Sequence, residues 1–201
     1  MSYKKQIIGI VPIGDTDKIA VKVIAAHIAG YLNFDAEIVT PLEKPDYAYD
    51  EKRFQYNAGI ILKQFSEMLF EKFDKKFDKK FDKIVGVASV DLFVPILTYV
   101  FGEAKQGGRC ALVSLFRLEK DFNHITPPPS LVYERAAKVA LHELGHLFNL
   151  LHCEDNRCLM HFAGGISQLD KTPLYFCKYC TAFFKDALKE SDHALRNVVT
   201  R

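Results

Sequence analysis

His142-Glu143-Leu144-Gly145-His146 is the stretch that organises this chain, and His152-Cys153, Cys158, Met160, Cys177 and Cys180 downstream complete its meaning. On an α-helix, residues four apart lie on one face, one turn along the axis. His142 and His146 therefore aim their imidazoles at a common point, which suits two ligands of a zinc ion. Glu143, rotated about 100° from His142, can reach a water on that metal without ligating it. A catalytic zinc keeps three protein ligands and leaves one position for water, whose pKa falls toward about 7. Glu143 is expected to take a proton from that water as it attacks a peptide carbonyl, then to pass it to the leaving amine.

The third ligand is expected to be His152, six residues past His146. A continuing helix would rotate residue 152 about 600° beyond 146, or about 240° net, and face it away from the metal. The helix must therefore stop between them. Asn149 is the expected stop, because a C-terminal cap commonly needs a left-handed backbone that Gly adopts freely and Asn tolerates next best. Lys and Arg are absent from this last turn, so backbone geometry carries the cap.

Cys153-x4-Cys158 and Cys177-x2-Cys180 form a second constellation, of tetrahedral-thiolate character. The alternatives are a pair of disulfides or simply buried small hydrophobes. Residues 1–13 carry Lys4 and Lys5 before a short apolar run that Gly9, Pro12, Gly14 and Asp15 break, so no signal peptide is expected. A cytoplasmic chain keeps its thiols reduced, which favours metal. Cys110 is left over and is expected as a buried strand residue.

A lone HExxH arises by chance often enough that a helix with two solvated or core histidines and an exposed glutamate is its bland reading. The third histidine and the cysteine set argue against that. His152 and Cys153 are neighbours, and in extended backbone consecutive side chains point to opposite sides. Adjacent ligands then serve different ions, so two zinc ions are expected: three imidazoles plus water, and four thiolates.

The pattern His142-Glu143-x2-His146-x5-His152-Cys153-x4-Cys158-x-Met160, closed by Cys177-x2-Cys180, resembles the archaemetzincins, two-zinc members of the metzincin clan of metallopeptidases. The upstream stretch from Asp91 through Phe101-Gly102, Gly107-Gly108-Arg109 and Leu112-Val113-Ser114-Leu115 resembles the family as well. The resemblance implies that His142, His146 and His152 bind a catalytic zinc and that Glu143 is its general base or acid. It implies that Cys153, Cys158, Cys177 and Cys180 bind a structural zinc, and that Met160 forms the hydrophobic floor beneath the catalytic metal. Met160 as an ordinary core methionine is nearly the same statement. Two departures stand out. Metzincins usually have Gly where this chain has Asn149, and some have a Tyr two residues after the Met, where this chain has His161 and Phe162. The oxyanion-stabilising phenol is thus missing at that position.

The rest of the chain bounds the answer. Its 201 residues suit one metallopeptidase domain, with 1–150 as an upper lobe holding a sheet and the active-site helix, and 151–201 as a small zinc-stapled lower lobe. A 49% hydrophobic and 26% charged composition is that of an ordinary globule with a real core. No run approaches the 18 or so apolar residues of a membrane span. The formal charge of +2, with no Lys/Arg stripe, argues against a nucleic-acid footprint.

Strands are expected over 6–11, 36–40 and 84–88, and helices over 15–32, with Asp15 or Thr16 as N-cap, and over 57–81. That β-α-β-α-β order predicts an α/β fold with a mixed, mostly parallel twisted sheet packed by helices, metzincin-like in its long active-site helix. A polar loop spans 41–50. Strands at 98–103 and 109–116 read as a hairpin turned at Gly107-Gly108. The metal helix is expected to start at Ser130 as N-cap, after Pro127–Pro129. Leu141, Leu144, Phe148 and Leu151 give its core face, and Gly145 implies close packing. A last helix spans 176–195.

Phe73-Asp-Lys-Lys, Phe77-Asp-Lys-Lys and Phe81-Asp-Lys repeat with a spacing of four. This reads either as a surface helix that buries its Phe stripe on the sheet or as a basic amphipathic element for membranes or partners. Balancing aspartates favour the former. His27, His124 and His193 stand alone, His161 is at most a neighbour of the ligands, and Tyr175 is within possible reach of the cleft. The function these features point to is a monomeric zinc peptidase acting on peptides or unfolded protein along the exposed strand 98–103. A zinc-stabilised peptide-binding module without catalysis is the alternative, and a zinc-finger nucleic-acid binder fits the thiolates but not the helix motif.

Overall fold

The apolar, β-branched run near the N-terminus forms a strand, Ile7–Ile13 (β1), in a computed structural model describing residues 5–68, 80–119 and 126–199, with side chains to residue 190. Helix Lys18–Leu32 (α1) follows, then strands Asp35–Ile38 (β2), Tyr49–Asp50 (β3) and Gln55–Asn57 (β4) and helix Ala58–Glu67 (α2). Strands Lys83–Ala88 (β5), Leu92–Phe93 (β6), Gly102–Ala104 (β7) and Cys110–Ser114 (β8) come next. Helices Pro129–Leu147 (α3), Ile166–Lys171 (α4) and Lys178–Val199 (α5) complete the order.

The main sheet has the order β2-β1-β5-β8-β7. Its pairings are parallel except β7 with β8, so the sheet is mixed and mostly parallel, as the element order predicts. Side chains alternate across a strand, and the two faces carry two cores. Ile8, Ile10, Val85, Val87, Ala111 and Val113 face α1 and α3. Val11, Ile13, Ile84, Cys110 and Leu112 pack on the other face with Ile61 and Phe65 of α2. Cys110 is thus the buried strand residue expected of it.

Several local expectations change. The N-cap of α1 is Asp17, whose carboxylate accepts from the Ile19 and Ala20 backbone N–H groups. Thr16 turns inward instead, its hydroxyl donating to the carbonyls of Ile13 (2.8 Å) and Val87 (3.2 Å). The N-cap of α3 is Pro128, not Ser130. Pro129 opens that helix, where a missing N–H costs nothing. Strand β7 begins at Gly102, shorter than expected, because residue 100 bridges β6 rather than β8. The loop 41–50 contains a 3-10 turn, Asp46–Ala48, and feeds a small second sheet, β3-β4-β6. Leu151 is 72% exposed, since α3 ends before the helical spacing can reach it; Leu147 is buried in its place.

Phe73 and Phe77 of the repeat, much of the helix expected over 57–81, His124 and the side chain of His193 lie outside the described residues. Phe81, the repeat's last phenylalanine, is buried in the α2-side core.

One ion pair ties α3 to α4. Arg135 on α3 is fully buried and donates to both carboxylate oxygens of Asp170 (2.6 and 2.7 Å) and to the Leu118 carbonyl (2.7 Å). Taking one partner from a buried pair costs more than the pair contributes, because the remaining charge stays desolvated. Asp170→Ala is expected to lower unfolding stability by about 3 kcal/mol, the low end for such a loss, because the Asp170 side chain is itself 32% exposed. Urea denaturation checks this; a change below about 1 kcal/mol would show the pair to be dispensable.

Candidate metal centres

Helix α3 runs through His142 and His146 and ends at Leu147. Phe148 caps it and Asn149 takes φ 64°, the left-handed conformation that turns the chain. The backbone N–H of Leu150 closes back on the Gly145 carbonyl at 3.0 Å. The reversal brings His152 to the other two imidazoles. Ring centroids are 4.8 Å apart for His142 and His146, 5.3 Å for His142 and His152, and 4.8 Å for His146 and His152.

Backbone carbonyls orient two of the rings. His142 Nδ1–H donates to the Leu159 carbonyl at 2.8 Å, and His146 Nδ1–H to the Leu150 carbonyl at 2.7 Å. That leaves both Nε2 atoms as lone-pair donors, 3.1 Å apart. Two imidazole nitrogens on a tetrahedral zinc lie about 3.3 Å apart, so the pair fits the ion. Such carbonyl partners are the usual way a ligating histidine is held in one tautomer. Burial, then the neighbouring His146, push the His142 imidazole down to about 3, against the pull of the Leu159 carbonyl. Burial lowers His146 and His152 as well. Neutral rings are what a metal needs.

The thiols gather separately. Cys153, Cys158, Cys177 and Cys180 are free, and one sulfur from each lies within 4.8 Å of the others. Cys153 and Cys177 sulfurs are 3.8 Å apart. A disulfide needs about 2.05 Å, whereas two thiolates on a tetrahedral zinc sit about 3.8 Å apart. The spacing is that of a metal site. Burial opposes ionisation of Cys177, but the backbone N–H groups of Cys180 and Tyr179 and hydrogen bonds from Cys158 and Cys180 outweigh it and bring that thiol down to about 7.

A cleft of about 490 Å³ opens over the imidazoles, walled by β7, α3 and the segment from His152 to Phe162. Glu143 is buried in its wall. Burial first, then the carboxylate of Glu103, raise the Glu143 carboxyl well above the usual carboxylate range. Gly102 lies against it so closely that an added Cβ would stand 2.7 Å from Glu143 Oε1. Met160 is buried beneath the helix, its sulfur 2.5 Å from where a Gly145 Cβ would be. This is the close packing that a mid-helix glycine implies.

His161 lines the cleft too, with Nδ1–H donating to the Cys153 carbonyl at 2.9 Å. Phe162 sets its ring edge-on to His152 with 5.3 Å between centroids. The Tyr175 side chain is 52% exposed and is not part of the cleft wall; its carbonyl accepts from the Leu159 N–H. His27 belongs to neither cluster and bonds to the Val23 carbonyl within α1. Residues that spacing did not single out also enter the wall. Tyr99 reaches over to donate its hydroxyl to the Gly164 carbonyl at 3.2 Å, with the Arg117 guanidinium 4.0 Å from its ring centroid. Gly102, Glu103, Gln106 and Lys138 are among the others, brought in by tertiary contact.

Residues 18–186 match the sequence profile of peptidase family M54. The chain belongs to this family. It is 34% identical over 175 residues to an archaemetzincin of Methanocaldococcus jannaschii, covering 87% of the chain and 90% of that relative. An archaemetzincin of Methanopyrus kandleri is 35% identical over 163 residues, covering 81% and 85%. The crystal structure of the Methanopyrus kandleri archaemetzincin matches with a TM-score of 0.77 at 31% identity, over 92% of this chain and 96% of that one. That of the Archaeoglobus fulgidus archaemetzincin, complexed with malonate, gives 0.74 at 29% identity, over 89% and 99%. An M54 peptidase of archaemetzincin type is a zinc metallopeptidase, and the fold and both donor sets fit that activity.

The buried groups of this M54 chain set opposite pH dependences in the metal-free protein. His142 falls from 6.5 to about 3 on folding, so the unfolded chain binds the extra proton between those values. Its contribution to stability is complete above pH 6.5 and is lost as pH falls toward 3. Glu143 is raised from 4.5, so its contribution is present below that pH and is lost as pH rises. The two oppose each other between pH 4.5 and 6.5. Metal-free Glu143→Gln should therefore lose stability on acidification more steeply across that window than the metal-free wild type. Melting temperatures from pH 7 to 4 measure it; parallel curves would contradict it.

Proposed function

We propose that this M54 peptidase hydrolyses peptide bonds with two zinc ions per chain, one held by His142, His146 and His152 and one by Cys153, Cys158, Cys177 and Cys180. The observation that carries the reading is the pair of separated donor sets, each with ligand atoms within 4.8 Å of one another. Zinc in the imidazole set supplies a Lewis acid that polarises the scissile carbonyl and lowers the pKa of water toward about 7.

Glu143 then holds and moves the proton. Its carboxyl is buried beside the imidazoles and raised in pKa, which brings it closer to the operating pH of a general base that must later act as acid. The peptide lies extended beside β7, which ends the main sheet, so its backbone can add as a strand. Gly102 leaves room there for both the peptide and the carboxylate. Met160 supports the imidazoles from below, and Asn149 supplies the turn to His152. The upper lobe, 1–150, carries the sheet and helix wall, and the lower lobe, 151–201, carries the thiolate site and the opposite wall. Among the described residues no helix is long and apolar enough to cross a membrane. We read the chain as a cytoplasmic monomer acting on peptides or unfolded protein, with no nucleic-acid partner.

Phe162, at the place where some metzincins carry a phenol, favours the second reading of a peptide-binding module with little catalysis. One pair of variants separates the two. Glu143→Ala is expected to keep both zinc ions while cutting turnover of a peptide library at least about 100-fold, followed by mass spectrometry of the products. Equal cleavage by wild type and variant would exclude Glu143 as the base, and binding without cleavage by the wild type would favour the module. His146→Ala should lower zinc content from two ions to one by elemental analysis, and an unchanged content would contradict the assignment of the imidazole site.

A further inference from the structure

We propose that Gln106 and Gly107, in the loop between β7 and β8, are positioning residues for the imidazole triad, holding the turn that carries the chain from His146 to His152. The inference rests on the reading that the triad holds zinc. Three contacts support it. The Gly107 backbone N–H donates to the His146 carbonyl at 2.9 Å. The Gln106 side-chain amide donates to the Leu150 carbonyl at 3.2 Å. That same carbonyl accepts the Nδ1–H of His146 at 2.7 Å. The Leu150 oxygen that fixes the tautomer and orientation of His146, two residues before His152, is thus itself fixed by Gln106.

A further contact is steric. Gly107 takes φ +64°, and a Cβ there would stand 2.5 Å from Asn149 Oδ1. Asn149 is in the left-handed conformation too, at φ 64°. Two left-handed residues from different elements therefore interlock, and the side chain of one fills the space that the other leaves. The His146 carbonyl, in the last turn of α3, accepts from the Asn149 N–H at 3.0 Å as well as from Gly107 at 2.9 Å, so the loop adds a second bond to a carbonyl that the turn itself uses. The loop consequently holds the reversal at both of its ends, His146 and Leu150, and at its apex, Asn149.

Gln106 is exposed, so truncating it costs the fold little. Its contact is with the orienting carbonyl, and losing an outer-shell partner of a metal ligand weakens metal binding by about 10–100-fold. The test is zinc affinity at each site of the full chain, by chelator competition, with cobalt(II) absorption distinguishing thiolate from imidazole ligation. Gln106→Ala should weaken the imidazole site about 10-fold. Gln106→Glu, which sets a carboxylate oxygen against the Leu150 carbonyl, should weaken it further.

Both Gln106 variants should leave the thiolate site and the melting temperature of the metal-free chain unchanged. Gly107→Ala should weaken the imidazole site as well, and Asn149→Gly added to it should restore part of the loss by removing the clashing oxygen. Unchanged affinity in the Gln106 variants would overturn the proposal, and so would equal weakening of both sites together with a lower melting temperature, the signature of a merely structural loop. A wild-type chain that binds zinc only through its thiolates would remove the basis of the function itself, a result distinguishable from either.

Discussion

The reversal of the chain after Leu147 is the constraint on which the rest of the site depends. A helix can bring His142 and His146 together without help, but its own geometry sends the next histidine away. Asn149, at φ 64°, redirects the backbone, and the third imidazole arrives from a different segment. Met160 can sit against Gly145 only because the chain doubles back under the helix. The carbonyls that hold the first two rings, Leu159 and Leu150, also lie on that returning segment. One backbone torsion in an unusual region thus sets the positions of the third imidazole, of Met160 under the helix and of two orienting acceptors.

The sheet contributes in a different way. Its last strand, β7, is antiparallel to its neighbour and lies against α3. Gly102 brings the strand's backbone onto the Glu143 carboxylate, with Glu103 one residue on. Burial of a carboxyl group away from water favours its neutral form, so the same close approach that makes the cleft wall also tunes the group in it. Arg135, itself buried, and the part-exposed Asp170 anchor the opposite wall through a bidentate pair, which holds α4 to the helix that bears His142 and His146. The cleft is therefore defined by contacts between elements far apart in sequence.

That distinction explains what could be read from the chain and what could not. The gathering of three imidazoles and of four thiols was legible, because the triad and each cysteine pair are written in short spacings and the two sets are joined by one peptide bond. The parallel core was legible too, since the runs expected as strands over 6–11, 36–40 and 84–88 form β1, β2 and β5, paired in parallel. Boundaries were not. Asp15, Thr16 and Asp17 are all competent N-caps, and only the inward bonds of Thr16 to Ile13 and Val87 leave the task to Asp17. Strands of two or three residues, such as β3, β4 and β6, are too short to show alternation. Gly102, Arg135 and Gln106 carry no periodic signal at all; their parts depend on partners 41, 35 and 44 residues away.

The adjacency of His152 and Cys153 has a structural corollary. Successive Cα atoms are about 3.8 Å apart, so the two donor clusters are joined by the shortest link a polypeptide offers. A displacement of the cysteine knuckle must reach the neighbouring imidazole almost undiminished. The smallest transplantable cassette that preserves the triad is then not the helix with its turn. It has to extend through the knuckle to Cys180 at the start of α5, whereas among the described residues the turns of that helix beyond Cys180 add no donor to either cluster.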